Sequence, residues 1–132
     1  MATVQVSEAP ELVLDWLVAK SLGEEFRLSV EYDGIGNEYP PTRYTTDPAL
    51  AWPIIDSLGI ECGRCWNEGR MRTNPYDAAF ARIPFIDGKF VGLGEYGATP
   101  LIAAMRVYLT SVMGDTAEVP DELINQEGKS YE

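Results

Sequence analysis

The stretch that most constrains this chain is TPLIAAMRVYLTSVMG, residues 99 to 114. Thr99 followed by Pro100 reads as a helix cap and its first-turn proline. Leu101, Ala104, Met105, Tyr108, Leu109 and Val112 then fall on the i, i+3, i+4, i+7, i+8, i+11 series, and Gly114 closes the run. Ala103, Arg106 and Thr110 form the less apolar stripe. A helix this apolar on one side must be covered, and a partner stands directly upstream. AFARIPFIDGKFVGLGE, residues 79 to 95, holds two apolar runs around Asp87-Gly88, a pair suited to a two-residue type I′ turn. Pro84 has no N–H to donate, so its strand is expected to be an edge or to bulge there.

The remaining elements extend that nucleus. Ser7 is a candidate cap for a helix through ELVLDWLVAKSLG, with Gly23 as its stop, and the helix is apolar over enough of its circumference to be mostly buried. FRLSVEY, residues 26 to 32, alternates Phe26, Leu28, Val30 and Tyr32 with polar residues and reads as a half-buried strand. The glycine- and proline-rich run to Asp47 reads as a loop. Asp47-Pro48 opens a second helix that either kinks at Pro53 or starts near Trp52, and Gly59 ends it. IECGRCW is strand-like and NEGRMRTNPYD a turn region. The expected fold is α+β: a small antiparallel sheet of three to four strands packed on one face by about three helices. With 132 residues the chain makes one core. Residues 1–114 are expected to form a single domain. Residues 115–132 carry six acidic residues and one lysine, and should form an acidic, partly flexible tail whose first part is pinned by Val119, Leu123 and Ile124.

Charge narrows the partners. Ten basic residues against 21 acidic ones leave a net charge of -11, which repels a phosphate backbone and sets nucleic acid aside as a partner. No run approaches 18 apolar residues and no signal-like start is present, so a cytoplasmic protein without a membrane partner is expected. The chain has no histidine and only Cys62 and Cys65 as thiols. Two ligands do not make a structural zinc site. In a strand, residues three apart face opposite ways, so the pair is read as small packing residues rather than a redox couple. GLGEYG, residues 92 to 97, lacks the rest of a nucleotide fingerprint and is read as a tight turn with close strand packing. No catalytic constellation, cofactor or metal is expected on these grounds.

What remains points to binding. Arg106 is a permanently charged fork on a mostly apolar helix, suited to two-point contact with a carboxylate or phosphate. Its ordinary alternative is a salt bridge to one of many acids. Tyr32, Tyr39, Tyr44, Trp52, Trp66 and Tyr76 flank loops, where amphipathic rings serve ligand or partner surfaces. Thr46, Asp47, Thr99 and Arg106 would make one ligand site if the helix starts at Asp47 and Thr99 met at one end of the sheet.

Three segments resemble a known family. LDWLVAKSLG (14 to 23), YTTDPALAWPIIDSLGI (44 to 60) and TPLIAAMRVYLTSVMGDTAEVPDEL (99 to 123) are similar to the phage NinX-like family, a domain of unknown function in tailed phages and in prophages of proteobacteria. The likeness covers a little under half the chain. Thr46, Asp47, Ala49, Pro53, Ile54 and Ile55 agree with the family pattern, whereas Pro48, Leu50, Ala51 and Trp52 depart from it. The resemblance implies a small accessory protein acting in the bacterial host cytoplasm as a non-enzymatic binding module for a host protein or a small, anionic ligand. A sponge for an anionic nucleotide signal, or a small carboxylate- and tyrosine-dependent enzyme, is the alternative; a homo-oligomer is compatible with all of these.

Overall fold

The structure, a computed structural model, describes residues 2–64 and 79–125. Its order is β1 (Ala2–Gln5), a 3-10 turn (Val6–Glu8), α1 (Glu11–Leu22), β2 (Glu31–Tyr32), β3 (Glu38–Tyr39), α2 (Pro48–Leu58), β4 (Glu61–Arg64), β5 (Ala79–Ile86), β6 (Lys89–Gly97), α3 (Pro100–Met113), β7 (Thr116–Val119) and α4 (Asp121–Asn125). β4, β5 and β6 form the main antiparallel sheet in that order, and β1–β7 and β2–β3 are separate antiparallel pairs. The α+β class expected from the sequence is the class observed.

α3 is the centre of the molecule. It packs on all three strands of the main sheet and also against α1 and α2. Ile102, Ala103, Ala104, Met105, Val107, Tyr108 and Leu109 are all buried, which is more of the circumference than the one-sided series predicted. Ala103 was assigned to the less apolar stripe, yet it lies against β6. A Cβ on Gly97 would stand 2.8 Å from the Ala103 nitrogen, so glycine there lets strand and helix touch. Val112, placed on the core face by its spacing, is exposed because the helix has run past its cover.

The hairpin follows its turn chemistry. Asp87 (φ 52°) and Gly88 (φ 79°) both take positive φ, and Ile86 pairs with Lys89 across them. Between the pairs Ile83–Leu93 and Phe85–Phe90 the register slips by one residue, so Pro84 sits at a bulge in what is the central strand. Gly92 (φ 59°) supplies the left-handed residue on the partner side. Residues 92 to 97 are strand rather than phosphate loop. A Cβ on Gly94 would lie 2.6 Å from the Phe80 ring, which accounts for that glycine by close packing.

Three expectations need correction. FRLSVEY is not a strand over its length: only Glu31–Tyr32 pairs, with Glu38–Tyr39, while Phe26 and Leu28 pack on the core without a ladder. The backbone of Arg27 is instead bonded to Thr42, whose N–H reaches the Arg27 carbonyl at 2.9 Å and whose hydroxyl accepts from the Arg27 N–H at 2.9 Å. Ser7 does not cap α1; it lies in the 3-10 turn, and Pro10 is the N-cap with no side-chain bond. α2 does not start near Trp52: it is one helix from the Asp47 cap to Gly59, with Pro53 inside it.

The two ends of the chain meet. β1 pairs with β7, and Val119 and Leu123 are buried with Ile124 against the core, so residues 116–125 are built into the fold.

Candidate functional site

The segment from Glu24 to Asp47 has only the β2–β3 stub for regular structure, yet it is pinned at several points. The strongest anchor is Asp15. It sits in the middle of α1, has no exposed surface, and accepts from the Thr45 backbone N–H at 2.9 Å and the Thr45 hydroxyl at 3.3 Å. A carboxylate on an otherwise apolar helix is thus used to hold the chain just before α2, and such a charge is tolerated in the interior only when bonded in this way. Arg27 adds a second anchor: its Nε donates to the Pro40 carbonyl at 2.7 Å and its guanidinium lies over the Tyr39 ring, 5.7 Å from the centroid.

These anchors leave an open cleft of about 630 Å³ between the folded-back loop and α2. Leu22, Leu50, Pro53 and Ile54 give it apolar walls, and Pro40 and Pro41 line it as well. Glu24, Glu25, Arg27 and Asp47 bring charge, so carboxylates outnumber the single guanidinium. Neither Glu24 nor Glu25 makes an ion pair among the described residues. Tyr44 also lines the cleft at 6% exposure. Burial, and then the Glu24 carboxylate, holds its phenol protonated above the ordinary tyrosine range, with Arg27 opposing. The cleft therefore offers three carboxylate residues and one guanidinium beside apolar side chains, within the size range of small-ligand sites.

The four residues singled out from the sequence do not share this cleft. Asp47 lines it while its Oδ1 caps α2 through the Ala49 N–H at 3.0 Å. Thr46 is exposed in the turn before it. Thr99 caps α3, its hydroxyl accepting from the Ile102 N–H at 3.2 Å. Arg106 lines a different groove, of about 500 Å³, with Ser7, Glu8, Pro10, Glu11, Ala98 and Ile102. Its two terminal nitrogens donate at 2.9 Å to the carbonyls of Tyr96 and Ala9, joining β6 to the start of α1. Arg106 thus does for two backbone carbonyls what its sequence context suggested for a carboxylate or phosphate. Beside it, burial raises the Glu95 carboxyl above its usual range, opposed by the Thr110 hydroxyl bond at 3.0 Å and by Arg106.

Cys62 lies in β4 opposite Ala81, and burial pushes its thiol up, away from the reactive thiolate. Cys65, Trp66 and Tyr76 lie outside the described residues, and with Cys65 the expected divergence of the two thiols. Among the described residues no group of three or more Cys, Asp or Glu is placed to hold a metal ion. Among them, too, no helix is long and apolar enough to cross a membrane.

Of the cleft residues, Tyr44 and Asp47 were visible in the sequence, one as a loop-edge aromatic and one as a cap. Glu24, Glu25, Arg27 and Leu50 were not, because only the return of the loop onto α2 brings them together. A faint signal existed in Asp15, an acid inside an apolar helix that had to be answered by something.

No protein-family profile matches the chain, and no curated protein sequence does. Among solved structures, its fold is similar to that of a phage protein from Bacillus cereus ATCC 14579, with a TM-score of 0.50 and 15% identity. The match covers 79% of this chain and 93% of that one. At this identity the likeness is one of fold.

Proposed function

We propose that this chain is a phage or prophage accessory protein of the host cytoplasm that works without catalysis, by holding a partner in the cleft between α2 and the loop of residues 24–44. The observation that carries this reading is the cleft itself. Leu22 and Leu50 keep apolar surface exposed at its wall while Ile54 joins the core behind them, and its loop side is fixed by the Asp15–Thr45 latch rather than left loose. A preformed concave surface that combines apolar walls with a small set of placed charges is what a binding module needs. The phage assignment draws on the three segments similar to the NinX-like family and is compatible with the shared fold of the Bacillus cereus phage protein. The alternative of a sponge for an anionic nucleotide leaned on Arg106 and Thr99. The two terminal nitrogens of Arg106 serve the carbonyls of Ala9 and Tyr96, and the Thr99 hydroxyl serves the start of α3, so the geometry favours the cleft.

The test is affinity capture from host extract with three proteins: the natural chain, Leu50→Glu in the cleft, and Phe90→Ser on the distant hairpin. The proposal expects one stoichiometric protein or metabolite on the natural chain and on Phe90→Ser, and its loss from Leu50→Glu. Equal recovery on Leu50→Glu, or repeated blanks with all three, would overturn it.

A further inference from the structure

We infer that the cleft receives an extended peptide segment bearing lysine or arginine side chains between apolar ones. This rests on the cleft being the working surface and names the chemistry of what enters it. Three carboxylate residues, Glu24, Glu25 and Asp47, line the space against one guanidinium. The Arg27 Nε is bonded to the Pro40 carbonyl and its guanidinium lies over the Tyr39 ring, while Asp47 caps α2, which leaves Glu24 and Glu25 as the uncommitted carboxylates. The Glu24 and Glu25 carboxylates make no ion pair among the described residues. An anionic occupant would be repelled by these partly screened carboxylates, and a neutral one would gain nothing from them. A cationic side chain answers them at close range.

The rest of the lining selects a peptide over a bare cation. Leu22, Leu50 and Pro53 present aliphatic surface that a hydrated ion cannot use, and the space is open to solvent rather than closed. Lysine and arginine side chains carry their charge on aliphatic stems, so they can lie along such walls with the charged end at the carboxylates. The net charge of -11 adds a long-range term, drawing a basic segment toward the protein and raising its rate of encounter. That term acts over the whole surface, so the test must separate it from the cleft.

The probes are three fluorescent eight-residue peptides of the same leucine content, alternating leucine with lysine, serine or glutamate. Each is titrated against the full chain by anisotropy at physiological ionic strength. The lysine peptide should bind most tightly. Glu24→Gln/Glu25→Gln should weaken it by about fivefold to tenfold, the effect of removing two partly screened charge contacts. Glu8→Gln/Glu11→Gln, which removes two acids from the other groove, should change it less than twofold. An equal loss in both double variants would show that only the overall charge is felt, and would overturn the inference. Tighter binding of the serine or glutamate peptide, abolished by Leu50→Glu, would also overturn it while leaving the cleft as a binding surface. Failure of Leu50→Glu to affect any bound peptide would remove the cleft reading itself.

Discussion

Two helices in this chain open with the same grammar and end in different places. α2 starts at Asp47-Pro48 and α3 at Thr99-Pro100, each capped by its own side chain and each followed by a glycine. α3 then buries seven residues and holds together the sheet and both other long helices. α2 buries only Ala51, Ile54 and Ile55, and leaves Trp52 at 61% and Leu50 at 38% exposed. The caps and prolines that start a helix do not say what it is for; the fate of its apolar surface does. α3's surface is consumed by folding. α2's is partly left over: Leu50 and Pro53 line the cleft, and Trp52 lines a separate groove beside β4.

The largest effect should separate the two helices outright. Leu109→Ala, at a fully buried position of α3, should cost about 2–5 kcal/mol in chemical denaturation, from lost transfer energy and the cavity left behind. Next, Asp15→Ala should cost about 1–3 kcal/mol, because the Thr45 N–H loses its acceptor in the interior. The same substitution should also speed amide exchange at residues 42–47, which a loss confined to α1 would not do. The caps should then be alike: Thr99→Ala and Asp47→Ala should each cost about 1 kcal/mol. A much larger cost at one of them would break the view that the two helices begin equivalently.

Titration gives a smaller contrast. Glu95, beside α3, has a raised carboxyl, so its contribution to stability is complete below the ordinary carboxylate value and is lost as pH rises through the higher folded one. Tyr44, beside α2, is raised from 10.0, so its contribution is complete below that value and is lost as pH rises through the higher folded one. Denaturation across pH should show both losses, the first removed by Glu95→Gln and the second by Tyr44→Phe. The smallest effect should be Leu50→Ala, within about 0.5 kcal/mol of the natural chain, as for an exposed residue outside any core. Capture of the partner should nonetheless weaken.

What could be read from the sequence was what is local. The span of α3, the Asp87-Gly88 turn and the disturbance at Pro84 each follow from a few adjacent residues. The strand expected over 26 to 32 failed because a ladder needs a second strand. Its alternation was honoured by packing Phe26 and Leu28, while Arg27 bonded to Thr42, fifteen residues away. The β1–β7 pair joins residues over a hundred positions apart and left no local mark. The sequence context of Arg106 points to two-point contact with a carboxylate or phosphate, whereas the contacts of its terminal nitrogens are with backbone carbonyls, which every residue has and no sequence advertises. The cleft was half visible for the same reason: Tyr44 and Asp47 stand out by type, whereas Glu24 and Glu25 matter only where the loop folds back.

The claim at the centre is that the cleft beside Leu50 and Pro53 of α2 is the surface that binds. An amide chemical-shift map of the full chain, with and without the lysine–leucine peptide, tests it most directly. Shifts confined to residues 22–27 and 40–57 are predicted. Shifts concentrated on the hairpin of residues 85–91, or scattered over the acidic surface, would contradict it.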